Sequence, residues 1–172
     1  GFIAWPTVAL AVAIWLAYGA CVFLALTDHI PLWAATPMLT VCVYLAFTPM
    51  HEAAHANVSG SVRGWRWLDP AIGWAMSLLF ASPFPAFRAI HLRHHGRTNH
   101  VGDDPDLWVA GSHLFAVIAR CWTIFPHYDW VYVRRLMWLT PAAQREGRGV
   151  IAVLLLVSLL CQLLLITAVV VG

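Results

Sequence analysis

The sequence predicts an all-α integral membrane protein: a transmembrane hairpin, a cytoplasmic region with interfacial helices, and a further transmembrane helix. Three observations predict it. Of 172 residues, 61% are hydrophobic and 10% charged, with a mean hydropathy of +0.74. A soluble domain averages about 45–50% apolar and about 25% charged residues. Several uncharged apolar runs reach the roughly 20 residues that a helix needs to cross a bilayer. The charges are also confined: all ten basic residues are arginines between Arg63 and Arg148, and seven of the eight acids lie between Glu52 and Glu146.

The elements follow in chain order. Residues 2–26 are uncharged and long enough to span. The break "TDHIP" follows, and Pro31 suits the opening turn of the next helix. Residues 32–50 form a second uncharged run, interrupted by Pro37 and Pro49, and complete the hairpin. Residues 71–87 are apolar but short and carry Pro83 and Pro85. A crossing there would place Arg63 and Arg66 opposite Arg88, Arg93 and Arg97, against the positive-inside bias, so an interfacial or re-entrant segment is expected. Residues 113–139 mix Trp122, Trp130, Tyr132 and Trp138 with Arg120, Arg134 and Arg135. That mixture suits a helix at the headgroups. Residues 150–171 form the last span. The region 51–148 is expected on the cytoplasmic side, with residues 27–31 outside. No repeat or low-complexity linker divides the chain, which reads as one domain over 1–172.

Composition excludes a nucleic-acid surface, because the net charge is only +2 and the arginines are interleaved with tryptophan and aliphatic residues. Cys21, Cys42, Cys121 and Cys161 are widely separated and form no C-x-x-C pair, so zinc or redox chemistry on cysteine is not expected. His29, His113 and His127 stand alone and read as headgroup contacts or satisfied structural residues.

The remaining histidines form a pattern. His51 and His55 in "HEAAH" are one helical turn apart, at the end of the second span. His91, His94 and His95 follow i, i+3, i+4 within "FPAFRAIHLRHHGR", a stretch expected to be helical from about Phe87 to Gly96. Two helices, each presenting a histidine face on the same side of a membrane, supply the converging neutral imidazoles that a metal requires.

Three metal chemistries compete. "HEAAH" satisfies the zinc-protease pattern, with Glu52 as general base, but leaves the second box unexplained. "EAAH" satisfies the Glu-x-x-His of carboxylate-bridged di-iron bundles, which need two such motifs and two further glutamates. This chain has only Glu52 and Glu146, so that class fails. The third is a membrane di-iron site ligated mainly by histidine. A non-catalytic metal-binding or transport protein remains a separate alternative.

"HEAAH", then H-x-x-H-H-x-x-T-N in "HLRHHGRTN", then "DDPD" resemble the first two histidine boxes of the membrane fatty acid desaturase superfamily, which also holds carotenoid hydroxylases and ketolases. The resemblance covers roughly residues 45–140, and the approach "FASPFPAFRAIHLRHH" is similar to the carotenoid-hydroxylase branch. It implies His51, His55, His91, His94 and His95 as ligands of two non-haem irons. It also implies O2 as co-substrate, electrons from a ferredoxin or cytochrome-type donor, and a long apolar lipid or carotenoid substrate. The expected activity is fatty acid desaturation, with carotenoid hydroxylation as the alternative. The superfamily carries a third H-x-x-H-H box that this sequence lacks. Together with the odd number of spans, that predicts a fragment; a complete chain would instead favour a one-metal site, with His100 as a candidate to join it.

Around the boxes, Asp103, Asp104 and Asp106 are expected either to accept the second N–H of ligating imidazoles or to cap a helix opening at Pro105 or Asp106. Glu52, Thr98, Asn99 and His100 are expected as supporting neighbours. Trp65, Trp67, Trp74 and Phe80 are candidates to line a substrate channel, or equally to anchor the chain at the interface.

Overall fold

The structure, a computed structural model, describes residues 1–60, 62–137 and 156. Every regular element among the described residues is helical. They fall into two compact units that divide between Phe80 and Ala81.

In the first unit, α1 (Trp5–Leu26) and α2 (Leu32–Ala54) pack as a hairpin, and α3 (Leu68–Ser77) packs on α2. Both long helices are apolar enough to cross a bilayer. Their packing is that of membrane helices. Small side chains (Ala11, Cys21, Ala35, Cys42, Ala46) are buried, whereas Leu16, Phe23, Val41 and Tyr44 face outward. Small residues let two backbones approach, and large apolar ones lose nothing by facing lipid. Thr36 and Thr40 donate their hydroxyls to the carbonyls of Leu32 and Thr36, at 2.7 and 2.8 Å. That satisfies hydroxyls that lipid would leave bare, beside Pro37 inside the helix.

The second helix does not stop where the apolar run ends. It continues through "HEAA", so His51 is helical and His55 is its C-cap. The chain then turns through Ala56, whose φ is +57°, and Gly60, whose φ is +54°. Buried Asp69 on α3 fastens this turn by accepting the amides of Val58 at 3.0 Å and Ser59 at 3.3 Å. The carbonyl of Val58 accepts the amide of Ala4 at 2.9 Å, which ties the entrance of α1 to the same turn.

The apolar run after Asp69 forms only the 10-residue α3 and a 3-10 turn, Leu78–Phe80. At 1.5 Å per residue α3 rises about 15 Å, half of a bilayer core.

In the second unit, α4 (Phe84–Arg97) starts earlier than the expected Phe87. Pro83 is its N-cap and Pro85 lies in the first turn, where a missing N–H costs no helical hydrogen bond. The 3-10 turn Pro105–Val109 packs against α4, α5 (Leu114–Trp122) and α6 (Ile124–Val131). The single helix expected over 113–139 is two, broken at Thr123. Pro126 explains the break: it cannot donate to the carbonyl of Trp122, so the helix restarts with proline in its first turn. A π-helical turn, Tyr132–Met137, follows. The expected span over 150–171 lies outside the described residues, except for Leu156.

Candidate metal centre

In the first unit, the rings of His51 and His55 lie 4.7 Å apart on one face of the end of α2. Glu52 does not project away from this pair. Its Oε1 is 3.2 Å from Nδ1 of His51, and its Oε2 accepts from the Asn57 amide at 3.0 Å. A carboxylate on Nδ1 fixes the ring's orientation and makes Nε2 the nitrogen that a metal would take. Both oxygens being engaged, Glu52 is poorly placed as the general base of a zinc protease.

In the second unit, α4 carries its histidines as the spacing requires. His91 is buried and stacks on Phe87, with ring centroids 5.2 Å apart and planes 9° apart. His95, one turn on, brings its Nε2 to 3.1 Å from Nε2 of His91. Two imidazoles bound to one metal at about 2.1 Å, at right angles, place their nitrogens about 3 Å apart. The pair therefore already has the spacing of neighbouring ligands.

His94 points toward a different set of partners. Its Nδ1 lies 2.7 Å from Oδ1 of Asp104 and 3.5 Å from Oδ2 of Asp106. The three residues bring one ligand atom each within 4.8 Å of one another. Asp104 is nevertheless no open ligand. Its Oδ1 also accepts the amide of Asp106 at 2.9 Å, and its Oδ2 accepts the amide of Asn99 at 2.7 Å. Burial alone would raise the Asp104 pKa; the hydrogen bond to His94, those from the amides of Asn99 and Asp106, and the His94 charge together hold it below the usual carboxylate range. Asp104 thus holds the His94 imidazole and caps the turn at Pro105 with one carboxylate.

The neighbours sort themselves by contact. Asp103 pairs with Arg93 at 2.8 Å, and its carbonyl accepts from Arg93 Nε at 3.1 Å, locking the loop to α4. Thr98 returns its hydroxyl to the carbonyl of His94 at 2.8 Å. Asn99 acts through its backbone, in the left-handed region at φ +63°. His100 is exposed, and its carbonyl accepts the amides of Asp103 and Asp104.

Sequence reasoning missed Tyr128 of α6. It is buried, donates its hydroxyl to Oδ1 of Asp106, and packs its ring 6.5 Å from that of Phe87. Burial, that hydrogen bond and the charges of Asp106 and Asp104 push its phenol far above the ordinary value, so it stays a proton donor. No local spacing marks it, because its partner is 22 residues away.

The channel candidates lie in the first unit. Trp65 packs edge-on to Trp5 at 5.6 Å and stacks on Trp67 at 5.9 Å. Trp67 also lines a cavity of about 310 Å³ with Val12, Trp15, Leu16, Ile72 and Met76. Trp74 and Phe80 are half-buried. His29, His113 and His127 hold local roles: His29 bonds to Thr27, His113 caps α5, and His127 stacks on Trp108 at 4.4 Å.

A fatty acid desaturase family model matches residues 28–172, most of the chain. The chain belongs to the fatty acid desaturase family. No curated protein and no solved structure matches it. For a desaturase-family chain, the donors of each unit taken by itself suit iron. In the first, there are two imidazoles with a carboxylate on Nδ1 of His51; in the second, two imidazoles at cis-ligand spacing and a third with a carboxylate on its Nδ1. The family makes the chain a lipid oxidoreductase of the membrane.

Proposed function

We propose that the chain is an O2-dependent di-iron fatty acid desaturase in which His51, His55, His91, His94 and His95 hold iron. The observation that carries this reading is the 3.1 Å approach of the His91 and His95 Nε2 atoms, on a helix that also presents His94 oriented by Asp104. Family membership supports the metal and the reaction class.

Bound iron would supply the activation of O2 that an unactivated C–H bond demands, with two electrons from a ferredoxin or cytochrome-type donor. The protein's own residues provide the rest. Glu52 and Asp104 each hold a ring through Nδ1, fixing the tautomer that presents Nε2. Asp69 holds the turn after His55 in place. A long apolar substrate is inferred because the first histidine pair stands where a membrane-spanning helix ends. The positive-inside bias of Arg63, Arg66, Arg88, Arg93 and Arg97 favours the cytoplasmic face for the histidines.

The second reading, carotenoid hydroxylation, is favoured by the approach sequence "FASPFPAFRAIHLRHH". Iron analysis of the purified protein tests the metal, with about two irons per chain expected. Mass spectrometry of products from cells supplied with fatty acids or carotenoids separates the two substrates. Full activity in an iron-free preparation overturns the proposal.

A further inference from the structure

We infer that Tyr128 is a positioning residue for the iron site, setting the orientation of Asp106 against His94 and bracing Phe87 against His91. The inference rests on the metal reading of His91 and His94 and adds a residue to it.

Four observations within the second unit lead here. The Tyr128 hydroxyl donates to Oδ1 of Asp106. The other oxygen of the same carboxylate lies 3.5 Å from Nδ1 of His94. Asp106 is itself only half-buried, its side chain 31% exposed, so nothing in its own burial fixes the carboxylate's rotation. Tyr128 is buried at 6% exposure, and its ring lies 6.5 Å from Phe87, which stacks on His91.

The physical consequence follows from the geometry of a carboxylate. Asp106 has two equivalent oxygens and a soft terminal torsion, so in water it would sample many orientations. A hydrogen bond from a rigid, buried phenol selects the one that turns Oδ2 toward His94. That negative oxygen adds a longer electrostatic contact to the hydrogen bond with Asp104, and the two together favour the tautomer and ring orientation that present Nε2 to a metal. On the other side, the aromatic ring limits the freedom of Phe87 and hence of the imidazole stacked on it. One side chain on α6 therefore acts on two histidines of α4.

The test uses the full chain in detergent, with cobalt(II) as the probe, since its visible absorption bands report ligand geometry. In the wild type, cobalt binds and gives ligand-field bands. Tyr128→Phe keeps the ring and removes only the hydroxyl. It is expected to weaken cobalt binding about three- to tenfold and to shift the bands, while the melting temperature of the metal-free protein stays near that of wild type. Asp106→Asn, which keeps an acceptor for Tyr128 but turns N–H toward Nδ1 of His94, weakens binding similarly. The double variant is no worse than the stronger single one, because both act through the one contact between Oδ2 of Asp106 and His94. A Tyr128→Phe protein with wild-type affinity and bands, beside an impaired Asp106→Asn, overturns the role of Tyr128 and leaves the metal reading intact. If Tyr128→Phe does not fold, Asp106→Asn decides: unchanged affinity and bands overturn the inference, and loss of both supports it. A wild-type protein that binds neither cobalt nor iron overturns the metal reading itself, and the inference with it.

Discussion

Nδ1 of His94 meets Oδ1 of Asp104 at 2.7 Å, and that carboxylate is 2% exposed. Its second oxygen is taken by the amide of Asn99. The contact makes a sharp prediction because asparagine is a poor substitute. One face of an amide side chain is a donor, so Asp104→Asn sets N–H against either His94 or the Asn99 amide. Both Asp104→Asn and Asp104→Ala are expected to lower iron affinity about 10–100-fold, the usual effect of losing an orienting carboxylate. Competition with a chelator measures it. Unchanged affinity in both variants would mean that Asp104 only caps the turn at Pro105.

His95 and His100 are close in sequence and differ in placement. His95 Nε2 sits at ligand distance from His91 Nε2, whereas His100 is exposed beyond the end of α4. His95→Ala should therefore lose iron and product together. His100→Ala should retain both within about twofold, the margin expected of an exposed substitution away from any special contact. Iron content by mass spectrometry separates the two. Loss of iron in His100→Ala would bring back the one-metal alternative.

How much of this was legible in the sequence depends on the range of each contact. The helical face of His91, His94 and His95 and the cap by Asp104 are local events: spacing fixes the first, and an aspartate before a proline signals the second. The hairpin was legible because lipid demands about 20 uncharged residues per crossing. Tyr128 was not, since a lone tyrosine in an aromatic stretch differs from Trp130 only in what the fold sets beside it. Asp69 reads as an ordinary first-turn acid of α3, yet its carboxylate turns back to two amides ten and eleven residues upstream. The break at Thr123 hides for another reason: the aromatic and arginine pattern of 113–139 continues through it, and only Pro126 marks it.

Asp69 leads to a stability prediction with a built-in control. Its Oδ1 accepts the buried amides of Val58 and Ser59. Asp69→Ala strands both donors and is expected to cost about 1–3 kcal/mol, read as a lowered melting temperature. Asp69→Asn keeps an acceptor oxygen at the same place and should recover most of the loss. Because the turn follows His55 directly, Asp69→Ala should also weaken iron binding. Equal melting of the alanine and asparagine variants would show that the amides find other partners.

Asp129 on α6 sets a pH dependence whose sign is fixed by burial. It is 2% exposed, accepts from the Ser82 hydroxyl at 2.9 Å through Oδ1, and its Oδ2 has no partner among the described residues. Burial pushes its pKa up to about 6, against the pull of the Ser82 hydrogen bond. The folded state therefore binds a proton that the unfolded chain, with an ordinary value near 3.8, has released. Between about pH 4 and pH 6 the unfolded state carries fewer protons, so this group's contribution to stability falls as pH rises and is flat above. A raised pKa of this size corresponds to about 2–3 kcal/mol. Asp129→Asn keeps an oxygen for Ser82 and never ionises, at the smaller cost of an unpaired amide. It should melt higher than wild type at pH 7.5, with the advantage shrinking toward pH 4.5. An offset of the same size at both pH values would show that Asp129 is already ionised in the fold and has found a cation.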